Sequence, residues 1–160
     1  MKNIFTIIIL FSLFFSIVGC IQKTSATTSS TSQKEKNGPK PEMAYYIDKD
    51  GDGIFEEIVP EEVPIPFGGK DEFNQKLASL YKYPASAREN GISGFVVLNI
   101  LVDEFGFVQE VNIKKSLSRE CDDAIINAFR NATTNGYAAL QWEGVNVKYR
   151  MDYPFEFSLQ

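Results

Sequence analysis

The sequence predicts an α+β domain in which a three-stranded antiparallel sheet carries helices packed on one face, and three observations predict it. Across residues 145–157 the odd-numbered positions are apolar and nearly all the even-numbered ones polar, the period of a strand with one buried face. Within 71–81 and again within 121–132, apolar residues recur at the spacing of one helical face. Between those segments lie two runs of strand character, 95–102 and 107–114, joined by the turn Asp103-Glu104-Phe105-Gly106. Helix, hairpin, helix and strand in that order give the layered architecture.

Each element has a local reason. The first helix presents Phe73, Leu77, Leu80 and Tyr81 on one face, and Tyr83-Pro84 opens a shorter helical turn over 84–91, with Pro84 at the first helical position and Gly91 at the stop. Strand 95–102 buries Val96, Leu98, Ile100 and Val102. Ser118 caps the next helix, Glu120, Asp122 and Asp123 sit favourably in its first turn, and Cys121, Ile125, Ala128, Phe129 and Ala132 form its apolar stripe. The closing strand follows a loop through Asn135-Gly136 and Trp142-Glu143-Gly144 and turns Asn146, Lys148, Arg150, Asp152 and Glu156 toward water. Pro154 lacks the N–H that a central strand donates on one flank, so it places this strand at a sheet edge. An open edge is a template for a strand from another chain.

Composition narrows the function. At 160 residues there is room for one small domain and a tether. A net charge of −5 offers no long-range attraction to phosphate backbones, so nucleic acid is not an expected partner. The chain has no histidine, which removes Ser-His and Cys-His relays and His-ligated zinc, so no enzyme is expected. Cys121 reads as a small core hydrophobe rather than a nucleophile.

Residues 1–19 read as an export signal, with Lys2 in a short charged region, an apolar run and a small residue before Cys20. Ile17-Val18-Gly19-Cys20 resembles the lipobox of bacterial lipoproteins, which implies that Cys20 becomes a lipidated N-terminus. The competing reading keeps the apolar run as an uncleaved anchor. The Ser/Thr-rich segment 20–43 reads as a tether. With no acidic run after Cys20, the expected location is the periplasmic face of the outer membrane rather than the inner membrane.

Residues 44–66 form an acidic, Pro-rich lead-in. Asp48, Asp50 and Asp52 alternate before Gly53, with Glu56 and Glu57 downstream, a spacing that lets carboxylates converge on calcium as in the first half of an EF-hand loop. The twelfth position, where a bidentate acid belongs, is Val59. A solvated hairpin turn using Asp and Gly for backbone reasons explains the same residues, so calcium and a cofactor-free turn both stand.

From 67 to 160 the chain resembles the C-terminal domain of TonB energy transducers. The resemblance is carried by Pro66-Phe67-Gly68-Gly69, Tyr83-Pro84, Ala87, Gly91, Gly94, Gly106, Ser116, the segment 124–129, Gly144 and the terminal 149–157. It implies a non-catalytic periplasmic domain that adds a short extended segment of a TonB-dependent outer-membrane receptor beside its last strand, in transport of nutrients such as siderophores. The partner-binding positions it implies are Tyr83, Pro84 and the strand 146–156, with Asn146, Lys148, Arg150, Asp152 and Glu156 on its outward face; Lys148, Arg150 and Asp152 would tune register and choice of partner, and a merely solvated strand face that also blocks aggregation explains the same charges. Two alternatives stay open: a short membrane-anchored energy transducer, and a structural envelope lipoprotein that dimerises through the same edge. The sequence departs from the family's usual Trp and Pro-Gly after the second long helix, where it has Asn135-Gly136-Tyr137-Ala138. A lipid on Cys20 would also replace the transmembrane helix that couples such transducers to their motor.

Overall fold

The computed structural model describes residues 39–159; the expected export signal over 1–19, Cys20 and most of the expected tether over 20–43 lie outside them. The element order is β1 (Ala44–Ile47), β2 (Glu56–Ile58), α1 (Gly69–Leu80), α2 (Ala85–Glu89), β3 (Gly94–Val102), β4 (Val108–Lys115), α3 (Arg119–Ala132), β5 (Leu140–Trp142), β6 (Val145–Val147) and β7 (Tyr149–Phe157). The main sheet is five-stranded, in the order β2-β1-β7-β3-β4, and β5 and β6 make a separate two-stranded ribbon.

The α+β class and its helix, hairpin, helix and strand order stand, but the three-stranded sheet is corrected to five strands. The added pair, β1 and β2, comes from the acidic lead-in, so the sheet begins at Ala44, ahead of the boundary drawn at 67. β1 is short, and its buried residues are Tyr45 and Ile47. Alternation over so few positions is a weak signal in a sequence.

The closing strand also starts later than its alternation suggests. Glu143 (φ 50°) and Gly144 (φ 80°) both take left-handed conformations, as a two-residue hairpin turn requires, and pair Trp142 with Val145. Residues 145–147 are thereby spent on β5, and Val145 is 60% exposed rather than buried. Lys148 separates that ribbon from β7.

The buried side of the sheet packs against α1 and α3. Val96, Leu98, Ile100 and Val102 of β3 meet Tyr149, Met151 and Phe157 of β7 in a core that the α3 stripe Cys121, Ile125, Ala128, Phe129 and Ala132 completes. Ser118 caps α3 as expected, its hydroxyl accepting the Cys121 N–H at 3.3 Å. Phe73 of α1 sits edge-on to Phe129 at 5.7 Å and to Tyr153 at 6.2 Å. Leu80, placed on the same helical face by its spacing, is instead 41% exposed, because α1 ends there. Burial raises the Cys121 thiol pKa, which keeps it protonated as a core hydrophobe.

The β3–β4 turn is organised by Asp103, whose carboxylate accepts the N–H groups of Phe105 at 3.0 Å and Phe107 at 2.8 Å. Gly106 (φ 90°) gives its carbonyl to the Tyr137 N–H at 2.7 Å, and a Cβ on Gly106 would stand 2.0 Å from the Tyr137 carbonyl oxygen. Backbone cannot yield as a flexible side chain can. Gly106→Ala is therefore expected to destabilise the domain by about 2 kcal/mol or more, read as a lower urea midpoint with unchanged m-value.

Candidate functional site

The outer flank of β7 is the surface to which the sequence directs attention, and the structure divides it. On its inner side β7 pairs with β3 along its whole length, from Tyr149↔Val102 to Phe157↔Gly94. On its outer side β1 takes the first part, with Ala44↔Asp152, Tyr45↔Met151, Tyr46↔Arg150 and Ile47↔Tyr149. The expectation of a free edge along the whole strand is therefore corrected: over 149–152 the chain's own backbone fills it. Beyond Asp152, residues 153–157 have no strand on their outer flank among the described residues.

Pro154 lies in that open part. Its pairing with Val97 of β3 is uninterrupted, so its nitrogen, which has no hydrogen to give, faces away from β3. Backbone groups on an antiparallel strand alternate sides, so the Glu156 N–H faces outward as well. Beside this stretch is a cleft of about 450 Å³ lined by Tyr81, Tyr83, Arg88, Glu156, Ser158 and Leu159. Its wall is aromatic: Tyr81 packs on Phe155 at 5.0 Å and Phe157 at 5.2 Å, and Tyr83 on Phe157 at 5.6 Å. The Tyr83 hydroxyl donates to the Ile92 carbonyl, and the Arg88 guanidinium lies 6.0 Å from the Tyr83 ring centroid. Burial pushes the Tyr81 phenol up to about 12, so it stays protonated at physiological pH.

Of the partner-binding residues expected from sequence, Tyr83 and Glu156 line the cleft beside the open stretch and Pro84 follows Tyr83 as the N-cap of α2, while Tyr81 and Arg88 line the cleft without having been expected. Arg88 carries no signal of its own in the sequence, since one arginine on a five-residue helix reads as solvated surface. Asn146 and Lys148 do not belong to this surface. Asn146 lies in β6 opposite Gln141, and Lys148 falls between β6 and β7.

Arg150 and Asp152 have a different setting from the one expected. Asp152 is only 4% exposed, which corrects its reading as a water-facing residue that tunes a partner. Its carboxylate accepts the Tyr46 hydroxyl at 2.8 Å, the Asn99 amide at 2.9 Å and the Lys114 ammonium, so strands β1, β3 and β4 converge on one side chain of β7. Lys114 also donates to the Tyr46 hydroxyl oxygen at 3.2 Å. Arg150 extends the network, donating to Asn99 at 3.1 Å and to Glu110 at 3.1 Å while its guanidinium lies 5.0 Å from the Phe55 ring. Burial on its own raises the Asp152 pKa, but the hydrogen bonds from Lys114, Asn99 and Tyr46 and the Lys114 charge outweigh it and hold the carboxyl below its ordinary range. Nothing in the sequence marks this network, because its members are polar residues on four separate strands.

The acidic loop between β1 and β2 brings Asp48, Asp50 and Asp52 together, with one oxygen of each within 4.8 Å of the others. The same carboxylates shape the turn. Asp48 accepts the Gly51 N–H at 2.8 Å and the Gly53 N–H at 3.0 Å, and Asp52 accepts the Ile54 N–H at 2.7 Å. Glu56 is drawn to Lys49 at 2.9 Å, and Glu57 stands opposite Tyr46 in the β1–β2 pairing, so neither joins the three aspartates.

With this geometry in view, the family described as "Gram-negative bacterial TonB protein C-terminal" matches residues 80–159 of the 160. Two solution structures of the Helicobacter pylori TonB C-terminal domain are similar. One is 20% identical, with 56% of this chain and 79% of that chain covered and a TM-score of 0.44. The other is 19% identical, with 56% and 96% covered and a TM-score of 0.41. No curated protein sequence matches the chain. Among the described residues no helix is long and apolar enough to cross a membrane.

Asp152 supplies a prediction for pH. A carboxyl held below its unfolded pKa contributes stability above about pH 4, and that contribution is lost as pH falls through the lower folded value. Wild type should therefore lose stability more steeply below pH 4 than Asp152→Asn, and the two unfolding curves should converge in acid. At pH 7 Asp152→Asn should be less stable by about 1–3 kcal/mol, measured by urea denaturation.

Proposed function

The chain belongs to the TonB C-terminal domain family, and from that premise we propose that it is a non-catalytic periplasmic protein that binds a TonB-dependent outer-membrane receptor by strand addition. The family's general work is interaction with outer-membrane receptors in transport across the envelope. In this reading the protein serves nutrient or siderophore uptake and is held at the periplasmic face of the outer membrane by lipid on Cys20.

The observation that carries the reading is that residues 153–157 have no strand on their outer flank among the described residues and lie against the Tyr81, Tyr83 and Arg88 cleft. A guest strand laid there gains main-chain hydrogen bonds from β7, and every second guest side chain turns toward the aromatic wall. The Glu156 N–H is one of the donors that faces a guest. Glu156 and Arg88, both exposed beside the cleft, are placed to discriminate among partners by charge.

A photoreactive residue at Ser158, used for cross-linking in whole envelopes, is expected to capture a β-barrel receptor; capture of nothing but other copies of the chain would refute the reading. Glu156→Pro removes an outward N–H while leaving the ladder to β3, and should lower the captured yield by roughly threefold to tenfold. Cys20→Ala should leave the precursor unprocessed, read by mass spectrometry as a missing diacylglycerol and a retained signal sequence. A wild-type protein of unmodified precursor mass would exclude the lipid anchor.

A further inference from the structure

We propose that the β1–β2 hairpin is a detachable occupant of the docking edge, and that its departure extends the stretch of β7 open to a partner strand from residues 153–157 to the whole of β7. The inference rests on the strand-addition reading and concerns how that site is regulated.

The geometry sets up a competition. A guest strand antiparallel to β7 runs in the same direction as β1, so a guest longer than the open stretch collides end to end with Ala44, the residue opposite Asp152. Only removal of β1 lets it continue. The two sides of β7 are held very differently. On the inner side β3 pairs over nine residues and is itself backed by β4, whereas on the outer side β1 pairs over four and is backed only by the three residues of β2, which is the rim of the sheet. Tyr45, Ile47 and Ile58 are the buried apolar residues of the hairpin, and the loop between its strands lies in solvent.

The network around Asp152 is arranged so that the hairpin can leave without stranding a buried charge. Of the three donors to the Asp152 carboxylate, Tyr46 alone belongs to the hairpin. Asn99 on β3 and Lys114 on β4 remain when β1 departs, so the carboxylate stays hydrogen-bonded and neutralised. Two further ties of the hairpin leave no buried charge behind: exposed Lys49 lies over the half-buried Trp142 ring at 5.8 Å, and Phe55 beneath the Arg150 guanidinium, which keeps Asn99 and Glu110 as partners.

Two measurements on the full chain test this. In native-state amide exchange, β1 and β2 should open separately from the rest, exchanging at least about tenfold faster than the centre of β3. Tyr46→Phe should speed the hairpin roughly tenfold further while leaving β3 unchanged. A single common rate for hairpin and β3, shifted together by Tyr46→Phe, would overturn the proposal. In the second measurement Tyr46→Cys and Arg150→Cys, which stand opposite each other, are joined as a disulfide that staples β1 to β7. Receptor capture through Ser158 should fall at least fivefold in the oxidised staple and recover on reduction. Capture that ignores the staple would overturn the hairpin's role while leaving strand addition standing. Failure to capture any barrel from wild type would instead remove the functional reading itself.

Discussion

The pairing of β7 with β3 is the interaction on which the remainder of the structure rests. Nine consecutive residues of each strand oppose one another, and this ladder presents Val96, Leu98, Ile100, Tyr149, Met151 and Phe157 as a continuous apolar surface. α3 and α1 have nothing to cover without it, since their buried faces meet that surface. β1 can join only because β7 supplies its other flank. Main-chain bonds, core and edge are thus set by one strand whose two sides serve different ends: the inner side closes the fold, and the outer side is shared between the chain's own N-terminal strand and an open remainder.

The polar face of the same sheet is built with comparable economy. Burying a carboxylate is costly unless it is paired and fully hydrogen-bonded, and Asp152 meets that condition by drawing on three other strands. A cluster of this kind contributes as much to register as to stability. Sliding β7 by one position against either neighbour would turn Asp152 into the helix-covered core and strand its charge there. The open part of β7 lies directly beyond this pinned segment, so its residues are held in one fixed register against β3.

Much of this was legible in the sequence where a single local pattern determined the outcome. The alternation over 149–157, the capping of α3 by Ser118 and the apolar stripe of α3 all express periods that local sequence carries. The glycine at 106 fell in the turn where the chain needed one. The layout of the candidate surface was legible in part: Tyr83 and Glu156 line one cleft, and residues 153–157, which include Pro154, have no strand on their outer flank among the described residues. What escaped was non-local. Whether Asp152 faces water depends on Tyr46, Asn99 and Lys114, which only the completed sheet brings within reach. Val145 alternates in phase with β7 yet belongs to a different ribbon, because the turn at Glu143-Gly144 redirects the chain before that phase is used. β1 was too short to announce itself, and its presence is what converts an edge strand into an interior one.

The order in which the strands leave the ribosome gives the central position of β7 one more meaning. β7 is the last strand among the described residues, and the contact between Tyr46 and Asp152 spans 106 positions. Neither β1 nor β3 can find its shared neighbour until β7, the last of the described strands, has been made, and long-range pairing of this sort is slow to form. A nascent chain of this design stays without a complete sheet until β7 has been made, however early its helices and its β3–β4 hairpin can form.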